Sequence, residues 1–124
     1  MKQVLLIETD FYTRVRLDDE LAERGFQITS VKRARDGFFK MKTQSFHAVV
    51  ISYEYDTQEV LRTLATLRQT GNQTPVLILA KKPTESQMIQ MLTFRPIEVV
   101  VKPFSIQDLA TRLHQLLNHK EAGS

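Results

Sequence analysis

The chain has no cysteine among its 124 residues and no tryptophan. The absence of cysteine excludes a disulfide framework, a thiolate metal cluster and a cysteine nucleophile. Glycine and proline number only four each and 25% of the residues are charged, which is not the composition of a disordered chain. A chain of this length is expected to form one compact domain that hides roughly two-thirds of the surface exposed when unfolded.

Long apolar runs are also missing, and no stretch approaches the roughly 20 residues that span a bilayer. We therefore expect a cytoplasmic protein without membrane contact. The charge is nearly balanced, with 17 Lys and Arg against 14 Asp and Glu. The densest basic group, which could face nucleic acid or an acidic partner, comprises Lys32, Arg33, Arg35, Lys40 and Lys42. No DNA-binding motif accompanies this group, so we interpret it as a solvated face and expect no direct contact with nucleic acid.

Five short hydrophobic runs stand out, at residues 4–7, 26–31, 48–51, 76–79 and 98–101. Most of them are apolar throughout, which is typical of strands buried on both faces of a parallel sheet. The run at 26–31 instead alternates with period two, which indicates a strand with one less buried face.

A segment with helical spacing follows each run, at about 11–24, 34–43, 57–70, 84–92 and 105–119. Asp10 and Asp56 can each cap a helix, and Thr84 with Gln87 has the form of a capping box. Gly25 can close the first helix in the left-handed conformation. Asp-Gly at 36–37 ordinarily indicates a turn, but apolar residues recur at helical spacing across it, so Gly37 is placed inside the second helix at close packing.

Strand and helix thus alternate five times, which predicts a doubly wound α/β domain with a parallel sheet and helices on both faces. We assign residues 1–119 to this domain and residues 120–124 to a flexible tail. In such folds the functional crevice lies at the carboxyl ends of the strands. The residues at these ends are 8–10, 52–56, 80–82 and 102–103.

Four of the strand segments carry a resemblance that covers the whole chain. They read VLLIETD at 4–10, HAVVIS at 47–52, TPVLILA at 74–80 and VVVKPF at 99–104, and they resemble the receiver domain of bacterial two-component response regulators at matching intervals. The resemblance implies the fold shared by the chemotaxis receiver and flavodoxin, a five-stranded parallel sheet with strand order 2-1-3-4-5.

In that family an acidic pair holds Mg²⁺, an aspartate after strand three accepts a phosphoryl group, and a hydroxyl residue and a lysine bind the product. On the matching positions this sequence keeps Glu8 and Lys102 and loses the other groups. The degenerate phosphorylation pocket implied by the resemblance comprises Glu8, Thr9, Ser52, Ala80 and Lys102. Threonine supplies no charged oxygen for a hard cation, and a serine hydroxyl is a poor substitute for the carboxylate that forms an acyl phosphate. We therefore expect that Mg²⁺ binding is lost and that no cofactor is needed.

The expected function is that of a pseudo-receiver, a phosphorylation-independent protein–protein interaction module in bacterial signal transduction, and not an enzyme. Its partner is expected to be another signalling protein or its own output domain. One alternative is a receiver still phosphorylated at Ser52 or Asp56, although Asp56 with Glu59 reads better as a helix cap. A flavodoxin-like small-ligand binder is disfavoured, because bulky Phe11 and Tyr12 stand where a glycine-rich phosphate loop would lie.

Further expectations concern individual side chains. With only Glu8 left of the acidic group, we expect Lys102 to form an ion pair with it and close the pocket. The resemblance also implies a cis peptide bond between Lys102 and Pro103. Asp10 could be a metal ligand, but it serves equally as the cap of the first helix. The three histidines are too scattered along the chain for a zinc site.

The resemblance further implies that the fourth helix, fifth strand and fifth helix form the output face, often by homodimerisation. The candidates for this interaction face are Met91, Phe94, Val99 and Arg112, and they could equally pack inward. Tyr53 and Tyr55 flank the acceptor loop, and we expect at least one of them to fill the vacated pocket or to face a partner.

Overall fold

A helix follows every strand along the chain, and the five strands lie parallel in a single sheet. The structure is a computed structural model that describes residues 1–122, with side chains described for residues 1–118. In chain order the elements are β1 (Lys2–Glu8), α1 (Phe11–Glu23), β2 (Phe26–Val31), α2 (Ala34–Met41), β3 (Ala48–Tyr53), α3 (Thr57–Gln69), β4 (Val76–Lys81), α4 (Glu85–Leu92), β5 (Ile97–Lys102) and α5 (Ile106–Ala122).

The strand order is β2-β1-β3-β4-β5, which confirms the predicted order. The chain moves outward from β1 to β2 and then returns past β1 to β3, so the direction of winding reverses between β1 and β3. In such sheets a crevice opens at this point beyond the carboxyl ends of the strands. The order therefore places the ends of β1 and β3 side by side, where the candidate site lies.

Both faces of the sheet are covered by helices, which explains why most residues in the middle of β1, β3 and β4 are apolar. On β1, Val4 and Leu6 pack in a buried cluster that includes residues of α1 and α5. Leu5 and Ile7 point to the other face and pack in a second cluster with residues of α3 and α4. Because successive strand residues alternate between the faces, residues 4–7 in the middle of β1 all carry apolar side chains.

The helix boundaries follow local signals that the sequence carries. Asp10 Oδ2 accepts a hydrogen bond of 2.9 Å from the Thr13 backbone N–H, so the predicted cap of α1 is confirmed. Gly25 follows α1 with a φ of +93°, a conformation that glycine adopts at little cost. The capping box of α4 at Thr84 is confirmed as well. Because these caps satisfy free amides of the first turns, they set where the helices begin.

Gly37 lies inside α2 and is buried, as predicted. A Cβ atom at this position would lie 3.2 Å from Ile7 Cδ1 and 3.2 Å from Leu5 Cδ2. These contacts are tighter than an ordinary van der Waals distance, so glycine allows α2 to pack closely on β1.

Other boundaries and backbone features differ modestly from the predictions. The second helix ends at Met41 rather than Thr43, and α5 continues to Ala122, so three residues of the predicted tail are helical. Residues 123 and 124 lie outside the described residues. The predicted cis bond at Lys102–Pro103 is confirmed, and a second one lies at Arg95–Pro96. No helix within residues 1–122 has the length and apolar character needed to cross a membrane.

Candidate functional site

The candidate site lies at the carboxyl edge of the sheet, where four strands end beside one another. Glu8 at the end of β1 is paired in register with Ser52 on β3, and Lys81 on β4 is paired with Lys102 on β5. Ala80 lies opposite Tyr53 in the β3–β4 pair. The structure therefore brings together residues that are up to 94 positions apart in the chain, as the parallel sheet predicts.

Ser52 and Glu8 form a buried polar pair. Their side chains are 5% and 4% exposed, and Ser52 Oγ donates a hydrogen bond of 2.7 Å to Glu8 Oε1. The other carboxylate oxygen, Oε2, accepts a hydrogen bond of 3.1 Å from the Asp10 backbone N–H. Both oxygens of Glu8 are therefore engaged by groups of this chain, and the hydroxyl at the acceptor position is already hydrogen-bonded.

The predicted ion pair between Glu8 and Lys102 is wrong. Lys102, whose side chain is 15% exposed, directs its Nζ to Glu54 Oε1 at 3.5 Å, and Lys81 Nζ lies 3.6 Å from the other oxygen of Glu54. Strands β1 and β5 are separated by β3 and β4, so their backbones lie roughly 14 Å apart at the usual strand spacing. Glu54, in the loop after β3, lies nearer to β5 and takes the lysine.

Thr9 and Asp10 turn to backbone groups nearby. Thr9 is exposed, and its Oγ1 donates to the Lys32 carbonyl oxygen at 3.4 Å. Asp10 accepts hydrogen bonds from the backbone N–H and the hydroxyl of Thr13, and these bonds, together with the charge of Arg14, lower the pKa of its carboxyl. Ala80 is fully buried and supplies no polar atom.

The two carboxylates at the end of β1, Glu8 and Asp10, both accept hydrogen bonds from groups of this chain. A magnesium ion needs near-octahedral oxygen ligands and commonly takes carboxylates. Glu8 has committed both oxygens, and Asp10 is oriented to the first turn of α1. Within the part of the chain that the structure describes, no group of three or more His, Cys, Asp or Glu side chains is arranged to hold a metal ion.

The two tyrosines of the acceptor loop take different positions. Tyr53 is half-buried against the cluster beneath α3 and α4, and its hydroxyl lies 3.9 Å from Met91 Sδ. Tyr55 is 84% exposed, with Lys81 Nζ 5.4 Å from the centre of its ring. Tyr55 thus presents an aromatic surface at the rim of the site.

A cavity of about 860 Å³ opens beside the Ser52–Glu8 pair. It is lined by the end of β1, the loop between β2 and α2, the loop between β3 and α3, and the first turns of α3. The sequence predicted a crevice at this edge, and the predicted segments 8–10 and 52–56 line the cavity. It did not predict that three residues of the basic group, Lys32, Arg33 and Arg35, line it as well.

The predicted interaction face needs correction at two positions. Met91 is fully buried and Val99 is 9% exposed, so both belong to the core and offer no surface. Phe94 is half-buried against the same cluster, and the Arg112 guanidinium binds the Glu98 carboxylate and the Val99 carbonyl oxygen.

Other apolar side chains are exposed on the same elements. Ile89 and Leu92 on α4 are 58% and 39% exposed, and Val101 on β5 is 44% exposed. Helix α4 is apolar at four of its positions, 88, 89, 91 and 92, so some of them had to point outward. That surplus is the signal in the sequence from which exposed apolar residues on α4 could have been expected.

The two histidines whose side chains the structure describes, His47 and His114, do not converge. His47 Nδ1 accepts a hydrogen bond of 2.9 Å from the Gln3 backbone N–H, and His114 packs against Phe26 with their ring centres 4.5 Å apart. The side chain of His119 lies outside the described residues. The described histidines therefore have structural contacts with residues of the sheet.

Comparison with known proteins gives consistent matches. A family model described as the response regulator receiver domain matches residues 4–114. The transcriptional regulatory protein HprR of Escherichia coli is 28% identical over 120 residues, which cover 97% of this chain and 53% of HprR. PcoR, also a transcriptional regulatory protein of Escherichia coli, is 24% identical over 94% of this chain and 52% of its own length. The chain thus spans about half the length of these curated relatives.

Solved structures share the fold at low sequence identity. The receiver domain of Francisella response regulator 1452 aligns with a TM-score of 0.87 and 23% identity, covering 97% of this chain and 99% of that one. HP1043, an orphan response regulator of H. pylori, aligns with a TM-score of 0.82 and 21% identity over 94% of this chain and 96% of that one.

Proposed function

The chain belongs to the family of response regulator receiver domains, and from this premise we propose that it is an atypical receiver that works without phosphorylation. In this proposal it is a protein–protein interaction module in bacterial signal transduction, and it acts in the cytoplasm. It catalyses no reaction of its own and holds no Mg²⁺.

The buried hydrogen bond between Ser52 and Glu8 is the observation that carries the proposal. Phosphoryl transfer needs an accessible nucleophile in line with the leaving group and a cation to neutralise the phosphoryl oxygens. Here the hydroxyl at the acceptor position is 5% exposed and donates to Glu8 at 2.7 Å. The one carboxylate retained from the acidic pair is therefore occupied by the acceptor residue itself.

The environment of Lys102 supports the same interpretation. In the family this lysine binds the phosphoryl group, which supplies negative charge only after transfer. In this chain the Glu54 carboxylate lies 3.5 Å from Lys102 and 3.6 Å from Lys81 and supplies that charge permanently. The lysine therefore has an anionic partner in the unmodified protein, which favours one fixed state of the site over two.

The experiment is phosphorylation by acetyl phosphate with Mg²⁺, read by intact mass. We expect the mass of the parent protein to remain unchanged, and we expect beryllofluoride with Mg²⁺ to leave its amide NMR spectrum unchanged. A variant with Thr9→Asp and Ser52→Asp, which restores two carboxylates and leaves the buried Ala80 in place, serves as the matched positive control for the reagents.

The competing hypothesis is a receiver still phosphorylated at Ser52 or Asp56. Asp56 is exposed, but its Oδ1 accepts a hydrogen bond of 2.9 Å from the Glu59 backbone N–H and caps α3. Addition of a phosphoryl group to the parent, lost in either Ser52→Ala or Asp56→Asn, would overturn the proposal and identify the acceptor.

We also propose where the partner binds. Ile89, Leu92 and Val101, here called the α4–β5 patch, are exposed apolar side chains on the elements that carry output in the family. The partner is another signalling protein, an attached output domain or a second copy of this domain. The greater length of the matched transcriptional regulatory proteins supports an attached output domain.

A further inference from the structure

The cavity beside the site has the size and the kind of lining that small-molecule sites have. Its volume of about 860 Å³ falls within the range of roughly 300–1,000 Å³ typical of ligand pockets. Ile7, Ile51 and Val60 contribute an apolar lining, and two loops at the carboxyl edge of the sheet form its walls. The proposed interaction module uses the α4–β5 patch and leaves this cavity without a role.

One wall of the cavity is positively charged. Lys32, Arg33 and Arg35, all exposed, line it from the loop between β2 and α2 and the first turn of α2. Among the described residues, none of these three side chains makes a hydrogen bond or an ion pair. Arg33 is also the N-cap of α2, and its side chain makes no cap hydrogen bond. Asp36, an exposed acidic residue in the first turn of α2, does not line the cavity.

The carboxylates of the cavity are already satisfied within the protein. Three of them accept hydrogen bonds from groups of this chain, namely Glu8, Asp10 and Asp56. The other two pair with cations that do not line the cavity. Glu54 pairs with Lys81 and Lys102, and Glu59 pairs with Arg62. These carboxylates keep their negative charge, but each has a hydrogen-bond or ion-pair partner in this chain. The three cations of the basic wall have no such partner among the described residues, so an anionic group of a ligand fits at that wall.

Exposed aromatic rings lie elsewhere in the lining. Phe11, at the start of α1, and Tyr55, in the loop after β3, are 60% and 84% exposed. Aromatic faces bind flat rings by stacking, and guanidinium and ammonium groups bind phosphate oxygens. One ligand chemistry uses both features together, since a nucleotide joins an aromatic base to a phosphate.

We propose that this cavity binds a nucleoside phosphate, with its phosphate at Lys32, Arg33 and Arg35 and its base against Phe11 or Tyr55. Binding is reversible and transfers no group, so it needs no acceptor aspartate and no Mg²⁺. The proposal adds a ligand to a domain whose family signals through covalent phosphorylation.

The experiment is a calorimetric titration of the whole chain with AMP and GMP in the absence of Mg²⁺. We expect at least one of them to bind saturably and about tenfold or more tightly than adenosine, guanosine or inorganic phosphate alone. Replacing both Arg33 and Arg35 by alanine should weaken nucleotide binding by about tenfold or more. If the base stacks on Tyr55, Tyr55→Ala should weaken nucleotide binding and leave phosphate binding unchanged. If the base stacks on Phe11 instead, Phe11→Ala should have this effect.

The matched control removes two other cations of the same basic group. Lys40 lies on α2 and Lys42 directly after its last residue. Both are exposed, and neither lines the cavity. Replacing both by alanine changes the net charge equally and should leave nucleotide binding unchanged.

The proposal is overturned if neither nucleotide binds. It is also overturned if the Lys40 and Lys42 control weakens binding as much as the arginine variant does. A single-stranded oligonucleotide that binds more tightly than the mononucleotides would overturn it as well. The phosphorylation test reads a covalent mass change and the titration reads reversible binding, so failure of one is distinguishable from failure of the other.

Discussion

Glu54 pairs with both lysines of the site, although the family resemblance assigned it no role. The lysine at position 102 was expected to reach Glu8, the acidic residue retained from the family pattern. Glu54 stands two residues after the acceptor position and reaches both Lys81 and Lys102 from the loop beyond β3. A carboxylate that close to a mostly buried ammonium stabilises it, and Glu8 keeps the hydrogen bonds of Ser52 and Asp10.

The N-cap of α1 gives a prediction about pH. Hydrogen bonds from Thr13, first from its backbone N–H, lower the pKa of Asp10 in the folded protein. Its contribution to stability is therefore fully present above the ordinary aspartate pKa and is lost as the pH falls through the lowered folded value. Asp10→Asn keeps an accepting oxygen but does not titrate, so we expect its free energy of unfolding to fall less than that of the parent on acidification.

Urea unfolding of the parent, Asp10→Asn and Asp10→Ala at several acidic and neutral pH values measures this difference. Asp10→Ala removes both the cap and the charge and should be the least stable of the three at neutral pH. Identical pH profiles for the parent and Asp10→Asn would show that this carboxylate is not stabilised by folding.

The close contact of Gly37 with β1 gives a prediction about packing. Gly37→Ala gains about 1 kcal/mol of helix propensity, but its Cβ would meet buried Ile7 and Leu5 side chains at 3.2 Å. Overpacking a core costs about 1–3 kcal/mol, so we expect net destabilisation of about 1 kcal/mol in chemical denaturation.

A double-mutant cycle with Ile7→Val separates the gain in helix propensity from the cost of overpacking. Shortening Ile7 removes the Cδ1 atom that a Cβ at position 37 would meet. Gly37→Ala should then destabilise the Ile7→Val background less than it destabilises the parent. An equal cost in both backgrounds would mean that α2 moves away from β1 without using this contact.

At the level of elements, Arg68 on α3 joins segments that the sequence pattern treats as separate. Its guanidinium donates to the carbonyl oxygens of Phe94, Asn72, Thr74 and Pro96 at 2.8–3.0 Å. It therefore ties the end of α3 to the loop before β4 and to the turn between α4 and β5. Burial lowers the pKa of this guanidinium, which shows that its charge is partly withdrawn from water.

We expect Arg68→Ala to lower the free energy of unfolding by about 2 kcal/mol, since hydrogen bonds from a charged donor are worth about 1.5–3 kcal/mol each and water replaces part of them. Arg68→Lys should also destabilise, because an ammonium lacks the planar fork that reaches several carbonyls at once. Urea denaturation measures both changes.

The control for Arg68 is Arg62→Ala on the same helix. Arg62 pairs with Glu59 at 3.0 Å, but both side chains are more than half exposed, and such pairs contribute at most about 1 kcal/mol. Equal destabilisation by Arg62→Ala and Arg68→Ala would contradict the bridging role of Arg68.

Helix α4 shows why the predicted interaction face was partly wrong. Its four apolar side chains span roughly 160° around the helix axis, wider than the stripe of about 100° that faces a core, so composition alone does not say which of them are buried. The packing of the helix on the sheet turns Met91 inward and leaves Ile89 and Leu92 exposed. A helix buries the stripe that its neighbours cover, and that stripe is chosen by the contacts between elements.

For the whole molecule, the α4–β5 patch predicts how the domain associates. If a second copy is the partner, sedimentation equilibrium should show a monomer–dimer equilibrium that Leu92→Asp shifts to monomer, because a charge in an apolar interface is costly. Leu92 is partly exposed, so the variant should keep its circular dichroism spectrum.

Phe39→Asp is the matched control, because Phe39 is an exposed apolar residue on α2, away from the patch. It should leave the association unchanged. A parent protein that stays monomeric at all concentrations would exclude the homodimer and leave an output domain or another signalling protein as the occupant.

Much of the fold follows from short-range patterns in the chain. Apolar runs predicted all five strands. The predicted caps at Asp10 and Thr84, the turn at Gly25 and the close packing at Gly37 are all present in the structure. These signals are local, because a cap, a left-handed glycine or an alternation of faces depends on residues within a few positions. The receiver family was likewise recognisable from residues at the strand ends.

Side-chain pairing across the site did not follow from such patterns. That Ser52 donates to Glu8, that Glu54 holds Lys102, and that a cavity opens beside a basic loop depends on distances between segments far apart in the chain. Competing partners lie within reach of every charged group at the sheet edge, and only the packed geometry selects among them. Local periodicity thus determined the elements and their succession along the chain, and the family resemblance implied the order of the strands in the sheet. The contacts that define the site arose when the elements packed, because hydrogen bonds and ion pairs weaken with distance.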